Sequence, residues 1–171
     1  MLFRSLTVTA TATGYATDSA TSAVTTQIGA AAVANTAAPA ITGTAKVGST
    51  LTASTGTWSP EGATYAFQWL WSASSTGTYA PIAGATAQTY VLSGAEQADY
   101  LKVQVTASLA GYTDGVALSV ATVVVAAGTF TTAVPTISGT VAVGATLTVN
   151  PGAWTPTPDS YTVTWQWATS T

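Results

Sequence analysis

The chain has 171 residues, 47% of them hydrophobic and only 5% charged, with three basic and six acidic residues for a net charge of −3. Three cations (Arg4, Lys46 and Lys102) cannot make the basic patch that nucleic acid or an anionic bilayer surface requires. The absence of cysteine and histidine excludes disulfides, thiolate metal sites, thiol nucleophiles and His-dependent triads.

In chain order, residues 1–5, MLFRS, have no counterpart elsewhere in the chain, and their back-translation resembles the end of a sequencing adapter. They are expected to be a non-native leader. No apolar core of secretory length follows Arg4, and no run of about 18 apolar residues spans a membrane. Residues 6–25, LTVTATATGYATDSATSAVT, parallel residues 103–122, VQVTASLAGYTDGVALSVAT, at an offset of 97. Residues 6–28 therefore read as the C-terminal part of a repeat. Residues 29–38 are small and unpatterned and read as a linker.

Residues 39–126 form one complete repeat. Residues 39–58, PAITGTAKVGSTLTASTGTW, return as residues 135–154, PTISGTVAVGATLTVNPGAW, at an offset of 96. Pro39 suits the start of a first strand over 39–43. A second strand covers 50–54, with Leu51 and Ala53 inward, and residues 55–62 are turn material. Residues 64–71, TYAFQWLW, place Tyr65, Phe67, Trp69 and Trp71 at every second position, so a strand puts them on one face. Short strands at 78–82 and 88–92 follow, then a corner at 93–99. Over 100–107, Leu101, Val103 and Val105 alternate with Lys102, Gln104 and Thr106. Residues 111–115, GYTDG, predict a hairpin turn with Asp-Gly at its end, leading into a last strand over 116–125. Residues 127–134 are a second linker. Residues 135–171 begin a further repeat, in which Gln166 and Trp167 match Gln68 and Trp69. The chain is thus expected to be a fragment of a longer reading frame.

Seven or eight short strands punctuated by turns are the profile of an all-β, immunoglobulin-like β-sandwich, here one complete repeat and two partial ones. The ordered elements are P-x-I-x-G from Pro39, V-G-x-x-L from Val47, G-x-W from Gly56, the QW pair at Gln68, G-A-T from Gly84 to Tyr90, an acidic corner, L-x-V-x-V-T from Leu101, and Gly111 with Tyr112. Together they resemble the bacterial Ig-like repeats strung along large secreted and surface proteins, notably of actinobacteria. Two departures stand out: the family's D-x-G corner is Glu96 to Ala98 here, and Trp71 stands where a polar or basic residue is usual. The resemblance implies a non-catalytic, extracellular spacer partnered by neighbouring repeats of its own chain. The alternatives are an adhesion module for carbohydrate or a cell-surface partner, and an Ig-like decoration of a phage virion.

No residue set specifies catalysis, a cofactor or a metal. Glu96 and Asp99 are the nearest carboxyl pair, but they sit at a strand corner, where local backbone bonding is the simpler role. A glycosidase pair instead faces a cleft about 5–10 Å wide. Calcium needs six or more oxygens, which one repeat with dispersed acids does not gather. The aromatics carry the remaining signal. Trp69 is expected in the core and Trp58 at one end of it. Trp71 at the end of its strand is the candidate exposed ring, forming a carbohydrate platform with Trp58 or Tyr79.

Overall fold

The computed structural model describes residues 3–26 and 29–166. Trp167, the expected counterpart of Trp69, lies outside the described residues, as do residues 1–2 of the expected leader and 27–28 of the first partial repeat. Two compact units are present, Met1–Ala126 and Ala127–Thr171. The described residues are all-β with no α-helix, as Thr, Val and Ala broken by Gly would dictate.

In the first unit, β1 (Thr7–Ala10) and β2 (Asp18–Thr21) make an antiparallel hairpin. There follow β3 (Ala34–Ala37), β4 (Ile41–Thr42), β5 (Thr50–Ala53), β6 (Thr57–Ser59) and β7 (Thr64–Ser72). Next come β8 (Ala80–Pro81), β9 (Thr89–Val91), a 3-10 turn at Gly94–Glu96, β10 (Tyr100–Ser108) and β11 (Gly115–Leu118). One sheet has the order β11-β10-β7-β8, a second the order β4-β5-β9, and β3 pairs with β6. In the second unit, β12 (Thr131–Thr132), β13 (Thr136–Ser138), β14 (Thr148–Asn150) and β15 (Trp154–Thr155) form two pairs, β12 with β15 and β13 with β14.

The three- and four-stranded sheets of the first unit enclose one core, an arrangement compatible with a β-sandwich. Leu51 and Ala53 come from β5, Trp69 from β7, and Leu101, Val103, Val105 and Ala107 from β10, joined by Leu92 and Val125. The period of two along β10 holds at every position: its odd residues from Leu101 to Ala107 are buried and its even ones half-exposed. Trp69 is fully buried, with its indole N–H donating to the Ala87 carbonyl at 2.9 Å. Burying a side chain of this kind contributes roughly 1.5–3 kcal/mol each, and among the described residues no buried side-chain nitrogen or oxygen lacks a hydrogen bond.

Three expectations need correction. The segment 29–38 is not a bare linker: β3 lies within it, bridging to β6 inside what read as the turn at 55–62. Short, Ala- and Thr-rich strands carry too little hydrophobic alternation to be seen alone. The turn of GYTDG is not at Asp-Gly: Tyr112 N–H donates to the Leu109 carbonyl at 3.0 Å, and Gly115 already belongs to β11. Gly115 is needed for packing, since a Cβ there would overlap the Val33 carbonyl and approach the Trp58 ring to 2.7 Å. The last strand ends at Leu118, not Val125. Beyond it, the Ser119 and Thr122 N–H groups still donate to the Val103 and Leu101 carbonyls, both at 2.9 Å, but their hydroxyls, in place of backbone carbonyls, accept from the Val103 and Leu101 N–H groups, both at 3.0 Å.

Local geometry recurs between the units at a spacing of 96. Trp58 Nε1 donates to the Thr55 carbonyl at 2.8 Å, and Trp154 Nε1 to the Pro151 carbonyl at 2.9 Å. Gly43 and Gly139 take φ of 115° and 121°, and a Cβ on either would meet the carbonyl of Thr50 or Thr146 at 2.6 Å. The β4–β5 pair sets Ile41 opposite Ala53, and the β13–β14 pair sets Ile137 opposite Val149.

Candidate functional site

The aromatics of β7 share a face but meet different surroundings along it. Cross-strand partners lie on the same side of a sheet. The register pairs Ala107 with Tyr65, Val105 with Phe67, Val103 with Trp69 and Leu101 with Trp71. The middle of this row is core, and both ends run past it. At one end Tyr65 stacks against Trp58 at 6.5 Å between ring centres, and Trp58 is buried beside Val33. At the other end Trp71 is 40% exposed. It borders a groove of about 290 Å³ with Ile82, Ala83, Ala95, Glu96 and Asp99.

The expected platform is therefore not assembled. Tyr65, beside Trp58, lies six residues from Trp71 along an extended strand, about 20 Å at ~3.3 Å per residue. Tyr79 lies near Trp71 in the sheet, since Ala80 is Trp71's partner. It belongs, however, to the outer face, where it borders a groove of about 560 Å³ with Gln68, Leu70, Lys102 and Gln104. The Lys102 ammonium sits 4.4 Å from the Tyr79 ring centre, a cation–π contact. The Tyr79 hydroxyl donates to the Ser75 carbonyl at 3.1 Å. Burial, and then the neighbouring Tyr100, raise its pKa. Of the three candidates, Trp71 alone offers an open ring, and its groove is shared with Glu96 and Asp99 in place of Trp58 or Tyr79.

Glu96 is a structural acid. Ser93 and Glu96 form a capping box around the 3-10 turn. The Glu96 carboxylate accepts from Ser93 N at 2.8 Å, Ser93 Oγ at 2.7 Å and Tyr90 Oη at 2.9 Å. Burial alone would raise its pKa. The bonds from Ser93 and Tyr90 outweigh that cost and hold the carboxyl below its usual value. Tyr90 is pushed up to about 12 by burial first, and then by its bond to the Glu96 carboxylate. Local bonding at the corner was expected, but the box itself and Tyr90, which joins it from β9, were missed; the S-x-x-E spacing of Ser93 and Glu96 is the signal that could have found the box. Among the described residues no three acidic side chains gather where they could hold a metal ion, and no helix is long and apolar enough to cross a membrane.

No protein-family model matches the chain, and a search of curated proteins finds no similar sequence.

Proposed function

We propose that the chain is a run of immunoglobulin-like repeats from a secreted or surface-attached bacterial protein, acting as a non-catalytic spacer. The observation that carries this reading is the return, 96 residues apart, of the same indole-to-carbonyl bond and the same positive-φ glycine in residues 39–58 and 135–154. A two-sheet body repeated along a chain adds length without needing a site. Its low charge and lack of oxidisable cysteine suit an extracellular setting, and the acid with the most local bonds, Glu96, is committed to holding a corner.

One observation favours a second reading. Trp71 is open at a groove that also holds Asp99, and sugars stack on flat exposed rings while their hydroxyls bond to carboxylates. Retention of the full chain on insoluble cellulose, chitin and peptidoglycan, beside Trp71→Ala, separates the two. Absence of binding to all three is expected for a spacer. Binding that vanishes with Trp71→Ala replaces the spacer with a glycan-binding module anchored at that ring.

A further inference from the structure

The groove beside Trp71 lies wholly within the complete body, and its charge is of one sign. Two carboxylates, Glu96 and Asp99, line it together with Trp71 and the apolar side chains of Pro81, Ile82 and Ala83, and no basic residue does. The two acids differ in what they can still accept. Both Glu96 oxygens are engaged, Oε1 by the Tyr90 hydroxyl and Oε2 by the Ser93 N–H and hydroxyl. The half-buried Asp99 side chain has no hydrogen bond or ion pair among the described residues. Its backbone is nonetheless fixed on both sides. The Asp99 N–H donates to the Glu96 carbonyl at 3.1 Å, and the Asp99 carbonyl accepts from the Val125 N–H at 2.9 Å. A free carboxylate is thus held in a set place.

Trp71 and Asp99 also stand at a definite spacing. Leu101 on β10 is the partner of Trp71, and Asp99 lies two residues before Leu101, on the same side of the chain. Diagonal neighbours of this kind are about 7–8 Å apart, a span that one saccharide ring bridges. The groove, about 290 Å³, is at the small end of ligand sites and suits one ring. The open indole and the apolar side chains match the C–H face of a pyranose. The carboxylate at its edge matches a cation, which the indole face also attracts. A neutral sugar would leave Asp99 without a charged partner, whereas an ammonium on the ring makes a charge-assisted hydrogen bond to it.

We propose that this groove binds an amino sugar, a glucosamine-type unit of a glycan, with its ring stacked on Trp71 and its ammonium bonded to the Asp99 carboxylate. The inference rests on the glycan reading of the Trp71 groove and adds to it the charge of the ligand. Glu96 makes no bond to the sugar, since its oxygens are already engaged, and contributes negative potential alone. The site discriminates against N-acetylated sugars, because an acetamido group carries no charge to offer Asp99.

Calorimetric titration of the full chain with a glucosamine tetramer, its fully N-acetylated form and a glucose tetramer of the same linkage tests this. The glucosamine tetramer is expected to bind about tenfold tighter than either neutral one, the margin a hydrogen bond between charged groups supplies. Asp99→Asn keeps the side-chain shape and is expected to bring all three to one affinity. Asp114→Asn removes the same charge just before β11 and is expected to keep the margin. Trp71→Ala is expected to weaken all three at least about tenfold. Equal affinities in the wild type overturn the proposal and leave the glycan reading standing. So does a margin that survives Asp99→Asn or falls as far in Asp114→Asn, which would make net charge its source. Binding that is indifferent to Trp71→Ala, or absent for all three tetramers, removes the glycan reading and the proposal with it.

Discussion

Residues 39–58 and residues 135–154 take the same turns but bury different amounts of surface. The Gly43 and Gly139 backbones, the Trp58 and Trp154 indole bonds and the two short pairs, β4–β5 and β13–β14, superimpose in kind. Yet Leu51 is fully buried while Leu147 is only half-buried, and Ile41 packs on a core while Ile137 stands largely open. The difference teaches that turns and caps follow from residues a few positions apart. Burial needs the second sheet, and in the first unit that sheet is supplied by β7, β10 and β11.

The comparison breaks most sharply at Trp69. Trp69→Ala is expected to cost about 3–5 kcal/mol in chemical denaturation, because it leaves a cavity at the centre of the core. Trp165→Ala, in the open counterpart segment, is expected to change the main transition by less than about 0.5 kcal/mol; an equal effect would mean the two environments do not differ. Gly43→Ala forces a side chain onto the Thr50 carbonyl at a φ that disfavours it. It is expected to cost about 2–4 kcal/mol, combining backbone strain with overpacking. Gly139→Ala carries the same local clash and is expected to leave the main transition in place, so that two identical insults separate local geometry from global stability.

The brace of Tyr90, Ser93 and Glu96 belongs only to the complete body among the described residues, and it makes stability depend on pH at both extremes. Glu96 has a lowered pKa when folded. The unfolded chain therefore binds more protons, and the stabilisation present above the ordinary carboxyl range is lost as pH falls through the folded value. Tyr90 is raised to about 12. Its stabilisation is full below the ordinary phenol value near ~10 and is lost as pH climbs from there toward the folded value. Glu96→Gln is expected to flatten the acid limb of a stability-against-pH curve and Tyr90→Phe the alkaline limb. Each is expected to cost about 1–3 kcal/mol at neutral pH, the range for bonds to a charged group. Unchanged limbs would remove the brace from the account. The smallest effect is a gain. Ala98 sits at φ 70°, a left-handed conformation that an alanine side chain resists. Ala98→Gly is expected to stabilise by about 1 kcal/mol, measured in the same denaturant series.

Much of this architecture was legible from neighbouring residues alone. The period of two over residues 64–71 and 100–107, the turn glycines and the corner at 93–99 all depend on contacts within a few positions, and the structure places them where the residues point. The offsets of 96 and 97 located the matching segments before any geometry was known. Two features escaped because they depend on partners distant in the chain. The strand β3 is visible only through its pairing with β6, since its own Ala- and Thr-rich residues carry no hydrophobic pattern. Tyr79 and Trp71 share an edge but not a face, because Ala80, and not Tyr79, is the residue opposite Trp71. Of four aromatics at equal spacing on β7, Trp69 was expected in the core and Trp71 in the open from their places along the strand, and tertiary packing supplies the reason. Alternation puts all four on one side, but the opposing sheet covers only the middle of the row, so Trp69 is enclosed and Trp71 reaches past the end of the core into solvent.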